Sequence, residues 1–419
     1  GHQFGVWAGQ LGDGRTITLG DIQRPDGQAF DIQLKGAGQT PYSRFADGRA
    51  VLRSTIREYL GSEALAALGV PTTRALAIVG SDAPVYRETA ETAAVMTRVA
   101  PSLVRFGSFE ILFENRNFDA LAPLADHVIG QHFPELAGIE DDGERYRAWA
   151  ERVIALTAEL IADWQAVGFC HGVLNTDNMS VLGLTLDYGP YGFMDSFDPH
   201  WICNHTDAGG RYTYDQQPHV GLWNLGRFVQ AILPLLSGEP DAAVEIGQAL
   251  LEAYRGRFDA AYMQRMRAKL GLPDARDDDR ALVDDLLRTM AADGADFTRT
   301  FRALGHVSAA PAAANAPFVD EFVDRDAAAA WLDRWRARLG GTGADDVARA
   351  ERMALTNPKY VLRNYLAQQA IDRAADGDYS ELHRLHAVLR HPFDEQPDNA
   401  DYARLPPDWA RGLVLSCSS

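Results

Sequence analysis

The sequence predicts an α+β protein built as two lobes, a small strand-rich lobe over residues 1–100 and a large helical lobe over residues 101–419. Three observations carry that expectation. Short apolar–polar alternations broken by glycine-rich turns fill the first hundred residues, one long amphipathic pattern begins near residue 146, and almost everything after residue 186 repeats with helical period. A chain of 419 residues, 46% hydrophobic and 23% charged, is also too long for one small core.

Taken in order, residues 16–19 and 30–34 read as strands, the second alternating apolar and polar side chains. A helix follows over residues 49–68, where Leu52, Ile56, Tyr59, Leu60 and Ala64 share one face and Gly69 and Pro71 stop it. Strands near 76–79 and 93–99 complete the small lobe. In the helix over 146–167, Trp149, Val153, Leu156, Leu160, Ile161 and Trp164 recur at helical spacing, and Gly168 ends it. Two short strands, 179–182 and 184–186, are expected on either side of Gly183. The acid-rich run from Asp274 to Arg280 reads as a solvated loop and residues 308–317, rich in Ala and Pro, as a connector.

A formal net charge of -18 argues against a protein that grips nucleic-acid backbones, because neutralising phosphates takes concentrated basic side chains. It leaves nucleotide binding open, since a buried triphosphate needs only a few local cations. No apolar run approaches the roughly 18 residues of a membrane-spanning helix, and a membrane role is set aside. Cys170, Cys203 and Cys417 are too few and too scattered for a disulfide framework or a zinc site, so a reducing compartment is the default. The opening Gly1-His2-Gln3-Phe4-Gly5 has no basic n-region, no apolar h-region and no Met, and reads as the start of a truncated or processed chain.

Most chemical information sits in the run from His171 to Ser180, followed by Leu186-Asp187-Tyr188-Gly189. Kinase-like phosphotransferases place a His-x-Asp base after a long helix, an Asn a few residues later, a short hairpin, and then an Asp-x-Gly metal ligand. The layout matches, and it predicts a protein-kinase-like bilobal fold. A magnesium ion bridging phosphates takes hard oxygen ligands, usually one or two carboxylates completed by amide oxygen, water and phosphate. Asn178 and Asp187 at the two ends of the hairpin supply such a pair. Val173 stands where the pattern has its catalytic Asp, and valine accepts no proton. Asp177, immediately before Asn178, is the replacement base.

The small lobe supplies the remaining parts. The glycine-rich turn from Gly5 to Arg15 can bring backbone N–H groups close to phosphate. Lys35 ends a strand, as a phosphate-contacting lysine does, and Glu58 on the following helix can pair with it. Arg98 and Arg105 lie near the hinge, where guanidinium groups suit multidentate phosphate capture.

Six strings together are highly specific: Gly12-Asp13-Gly14-Arg15, Leu34-Lys35-Gly36-Ala37-Gly38, Asp47-Gly48-Arg49-Ala50-Val51-Leu52-Arg53, His171 to Ser180, Leu186-Asp187-Tyr188-Gly189-Pro190 and Asn357-Pro358-Lys359-Tyr360. On them the chain resembles the selenoprotein O family over essentially its whole length. The resemblance implies a pseudokinase fold in which ATP binds reversed, presenting its α-phosphorus. It implies transfer of AMP to Ser, Thr or Tyr hydroxyls of proteins, with release of pyrophosphate. By the same resemblance Asp177 takes the proton, Asn178 and Asp187 hold Mg²⁺ or Mn²⁺, and Lys35, positioned by Glu58, meets the phosphates. Gly12, Gly14, Arg15, Asp47 and Gly48 line the nucleotide site with Asp187, while Arg98 and Arg105 bind the displaced terminal phosphates. Family members usually carry further sequence upstream, so part of the small lobe is expected to be absent. Cys417-Ser418-Ser419 resembles the family's ending, and Cys203 is expected to form a redox pair with Cys417.

Three alternatives stay open. They are phosphoryl transfer with Asp177 as base, manganese-dependent transfer of UMP, and a silent ATP-binding scaffold. Retention of Asp177, Asn178, Asp187 and Lys35 speaks against the scaffold. Composition and a terminal Cys lean toward the bacterial cytoplasm, with mitochondria the alternative for a eukaryotic source.

Overall fold

The computed structural model describes residues 1–11, 14–43, 46–87, 89–310, 314–340 and 345–415. A small hairpin, β1 (His2–Gln3) and β2 (Val6–Trp7), precedes a five-stranded antiparallel sheet. In that sheet β3 (Thr16–Gln23) pairs with β4 (Ala29–Lys35), and β4 with β7 (Ala90–Ala100). β7 also carries β5 (Ala50–Val51) and the long β6 (Arg74–Tyr86).

Helix α1 (Leu52–Ala67) begins three residues later than its periodicity suggests. The reason is local: Ala50 and Val51 are drawn into the sheet opposite Ala94 and Ala93. Its buried face includes Ile56, Leu60 and Ala64, as expected, and Gly69 follows it with a φ of 81°. The four strands expected in the small lobe all form, each longer than its apolar centre.

The remainder is helical: α2 (Phe106–Glu114), α3 (Leu121–His132) and α4 (Asp142–Val167), then, beyond two short strands, α5 (Gln217–Leu236) and α6 (Pro240–Lys269). α7 (Asp279–Asp293), α8 (Phe297–Leu304), α9 (Ala316–Val319) and α10 (Arg325–Arg338) follow. α11 (Asp346–Thr356), α12 (Asn364–Ala375) and α13 (Ser380–Leu389) come next, and two 3-10 turns, Pro397–Ala403 and Asp408–Gly412, follow them. Asp141 caps α4 by accepting from the Glu144 N–H at 2.8 Å, and left-handed Gly168 stops it. One apolar core links α1 to α4, α5, α12 and α13, and a second gathers around Trp331 and Trp335. No described helix is long and apolar enough to cross a membrane.

Two expectations are corrected. Residues 179–182 and 184–186 do not form paired strands; a single bridge joins Met179 to Thr185. Their backbones turn outward instead, Ser180 bridging to Arg105 and Thr185 to Thr72. The run from Asp274 to Arg280 is not simply a solvated loop either. Asp279 is fully buried at the start of α7, where it accepts from Arg338 Nε at 2.6 Å and Arg267 Nε at 2.8 Å. A buried carboxylate needs such partners to offset lost hydration. The Asn357-Pro358-Lys359-Tyr360 string also proves architectural: Asn357 Nδ2 donates to the Lys269 carbonyl at 2.9 Å, and Lys359 pairs with Glu395 at 2.8 Å.

Candidate active site

Sheet register assembles the first half of the site. Gln33 and Lys35 lie two apart on β4 and so share a face, and Arg98 on β7 is directly opposite Gln33. That face meets α1, where Glu58 is buried. Lys35 Nζ pairs with Glu58 Oε2, and Arg98 Nε donates to Glu58 Oε1 at 2.7 Å. Glu58 is itself fixed from below, because its neighbour Arg57 donates to the Tyr191 carbonyl at 2.7 Å while the Tyr191 hydroxyl donates to the Arg57 carbonyl at 2.5 Å.

Asp187 completes this cluster from the other side. Its φ of 62° is left-handed, a conformation Asp tolerates better than most residues. Arg98 Nη2 reaches its Oδ1 at 2.6 Å, Arg105 Nη1 its Oδ2 at 2.8 Å, and Lys35 Nζ lies 3.8 Å from Oδ1. Burial alone would raise the pKa of this carboxyl, but Arg98, Arg105 and Lys35 overcome it and hold the group well below the usual range. Burial also lowers Lys35 to about 8, helped by Arg98 and Arg15 and opposed by Glu58 and Asp187. Three cations therefore face two carboxylates, one positive charge in excess. Arg98 and Arg105 are fully buried and engaged with these carboxylates rather than standing open in the cleft.

The second half comes from the segment between two short paired strands, β8 (Phe169–Cys170) and β9 (Gly192–Phe193). His171 Nε2 donates to the Leu186 carbonyl at 2.9 Å while its Nδ1 accepts from the Val173 N–H at 3.4 Å, and burial pushes the imidazole's pKa down. The ring thus ties the loop that leads to Asp177 to the segment that carries Asp187. Asn178 Nδ2 donates to the Val173 carbonyl at 2.8 Å, which leaves Oδ1 as its remaining donor toward a cation. Arg105 Nη1 also donates to the Asp177 carbonyl at 2.9 Å, linking the halves.

A cleft of about 170 Å³ is bordered by Arg15, Lys35, Val173, Asp177, Asn178 and Asp187, together with Gln3. Its volume is below the roughly 300 Å³ at which ligand pockets begin, so it does not enclose a whole nucleotide. Larger cavities of about 680 and 710 Å³ occur elsewhere, but neither is bordered by Lys35, Asp177, Asn178 or Asp187. Gly14, Asp47 and Gly48 do not border the cleft. Gly14 and Gly48 shape the loops beside it, the Gly14 carbonyl accepting from Thr40 Oγ1 at 3.1 Å and Gly48 packing on Gly38, and Asp47 pairs with Arg87 at 3.0 Å. Gly12 and Cys417 lie outside the described residues. Among the described residues no group of three or more His, Cys, Asp and Glu side chains could hold a metal unaided. Asn178 and Asp187 both border the cleft with oxygen donors of the kind an ion bridging phosphate takes, and both Asp187 oxygens already accept from Arg98 and Arg105.

A family model described as Protein adenylyltransferase SelO matches residues 1–390. The chain belongs to the SelO family. A protein nucleotidyltransferase YdiU of Burkholderia multivorans is 56% identical over 428 aligned positions, spanning 100% of this chain and 81% of that protein. Its namesake in Paraburkholderia xenovorans is 56% identical over 425 positions with the same coverage, and that of Burkholderia lata 54%. The chain is accordingly a nucleotidyltransferase of this family, with the kinase-like bilobal arrangement that its motifs predict. These relatives are bacterial, which leaves the mitochondrial alternative without support.

Sequence reasoning missed three residues around the Asp177 loop: His2, Gln3 and Glu110. Gln3 borders the cleft, and Glu110 is a buried carboxylate on α2. A glutamate within the apolar pattern Phe106 to Phe113 was the available signal.

Proposed function

We propose that this SelO-family enzyme transfers AMP from ATP to Ser, Thr or Tyr hydroxyls of proteins, with Asp177 as general base. One observation carries the reading: Asp177, Asn178, Asp187, Lys35 and Arg15 converge on a single cleft whose kinase-base position is Val173. A base, hard oxygen donors and phosphate cations together are more than a silent scaffold requires.

In this reading the triphosphate lies reversed, α-phosphorus toward Asp177. The acceptor oxygen attacks that phosphorus, its proton passes to the Asp177 carboxylate, and the bond to the bridging oxygen breaks as pyrophosphate leaves. Lys35, Arg15 and the excess positive charge around Asp187 offset the charge developing on pyrophosphate. Mg²⁺ or Mn²⁺ on Asn178 and Asp187 would add neutralisation at the phosphates. Gly12, Gly14, Asp47 and Gly48 belong to this proposal as nucleotide contacts, and Arg98 and Arg105 as the groups behind the outer phosphates.

Incubation with ATP labelled at the α- or the γ-phosphate tests the reading. Label from the α position on protein, with an intact-mass gain of one AMP, is the expected result. Label from the γ position instead would establish phosphoryl transfer, a UMP adduct under manganese would change the nucleotide, and nucleotide binding without any adduct would leave a scaffold.

We also propose redox control through Cys203 and Cys417. Cys203 is buried, and burial followed by its neighbour Cys170 raises its thiol pKa, which keeps it slow to react. Its segment is close to the end of the chain, since the His205 N–H donates to the Leu415 carbonyl at 2.8 Å. Alkylation mapping after oxidation should find both thiols protected; two free thiols would remove the idea.

A further inference from the structure

The hairpin at residues 2–7 does not pair with the sheet that follows it. It lies against the loop that carries Asp177, where the His2 and Phe4 backbone N–H groups and the Gln3 side chain find their partners. Glu110 on α2 is buried and no lysine or arginine pairs with it among the described residues; its side-chain partner in the hairpin is His2, whose Nδ1–H donates to Oε1 at 2.6 Å. The His2 backbone N–H also points at this group, 2.7 Å from Thr176 Oγ1 and 3.2 Å from Glu110 Oε2. The Thr176 hydroxyl, fully buried, donates to Glu110 Oε2. Burying a carboxylate with only hydrogen bonds to offset it is costly, and this one lies next to the residue that precedes the base.

Asn175 is held in parallel. Its Oδ1 accepts from the Phe4 N–H at 3.1 Å and from the Tyr212 hydroxyl at 2.8 Å. The His2 ring is set between Trp7 and Trp223, with centroids 5.5 Å away on both. Gln3 then reaches the base itself, Nε2 donating to Asp177 Oδ2 at 3.4 Å. On the opposite side Oδ1 is 3.0 Å from the Gly1 nitrogen but without hydrogen-bond alignment. It also lies against Gly107, where a Cβ would come within 2.1 Å of it. The carboxylate is thus held by its backbone, by one amide and by the absence of a side chain beside it.

We propose that His2, acting through Glu110 and Thr176, is a positioning residue for Asp177, and that Gln3 orients the Asp177 carboxylate directly. The inference rests on the reading of Asp177 as the base. His2→Phe keeps the ring between the two tryptophans and removes the donor, Glu110→Gln keeps the shape and removes the charge, and Gln3→Met keeps the length and removes the amide. For each, kcat and KM for ATP are measured in α-label transfer, alone and combined with Asp177→Asn.

The expected result is a fall in kcat on the order of 10- to 100-fold with KM for ATP changed by no more than about twofold, because the geometry of the base is lost and nucleotide binding is not. In the Asp177→Asn background the same changes should cost nothing further. Unaltered kcat in all three variants would overturn the proposal, as would an undiminished loss in that background. Full activity of Asp177→Asn alone would instead remove the base assignment on which it stands. If Glu110→Gln does not fold, Gln3→Met, at a partly exposed side chain, decides the question.

Discussion

The cluster around Asp187 and the loop around Asp177 face each other across one cleft and are built on opposite principles. The first is saturated with charge: Lys35, Arg98 and Arg105 surround Glu58 and Asp187, and both oxygens of Asp187 accept from guanidinium groups. The second contains almost none. Asp177 accepts from one side-chain amide, its Oδ1 lies 3.0 Å from the Gly1 nitrogen without a hydrogen bond, and among the described residues no lysine or arginine side chain pairs with it. A carboxylate beside phosphate is surrounded by guanidinium and ammonium side chains, whereas the carboxylate proposed to take up a proton is kept from lysine and arginine side chains, since such a cation held close would make it a poorer base.

Removing the base breaks the comparison most sharply. Asp177→Asn should lower kcat by about 10²- to 10⁴-fold while leaving ATP binding and thermal stability close to the parent's, as read by titration and melting. The charged side should respond in the opposite currency. Arg98→Met leaves the buried Glu58 and the half-buried Asp187 with one cation fewer, and a loss of about 3 kcal/mol in folding stability is expected from denaturant unfolding.

A smaller effect separates position from identity. Gly107→Ala puts a methyl where Asp177 Oδ1 now lies, while alanine is the better helix former in α2. Its kcat should fall on the order of 10²-fold without loss of stability. The mildest test is pH. Below about pH 8 Lys35 is charged in both folded and unfolded chains; between about 8 and 10.5 only the unfolded chain keeps the proton. Raising pH through that window therefore favours the fold while removing the charge that phosphate needs. The kcat/KM for ATP should drop by about tenfold per unit once pH passes the Lys35 pKa, and Lys35→Arg should flatten that limb because arginine stays charged.

The charged side was the more legible in the sequence. Strand alternation around Lys35, the apolar face of α1 and the Asp-x-Gly at 187–189 are local patterns, and local patterns fix which residues share a face. Asp177 and Asn178 were legible through their place after α4. The supports of Asp177 were not, because His2, Glu110 and Thr176 meet from three distant stretches that share no period. The segment 179–186 alternates like a hairpin, yet its partners are Arg105 and Thr72, which no periodicity reveals. Asp279 looked like one acid among several because the arginines that bury it, Arg267 and Arg338, come from α6 and α10.

The single surplus positive charge at Asp187 sits inside a chain of net charge -18. A polyanionic nucleotide approaching from solution first meets a repelling field and feels attraction only within the mouth of the cleft. Because salt screens the distant field over about 10 Å at 0.1 M and the buried pairs much less, added salt weakens the barrier to entry more than the attraction at the end of the path. Capture of ATP by this enzyme should therefore quicken with moderate ionic strength, the reverse of what a positively charged nucleotide-binding protein shows.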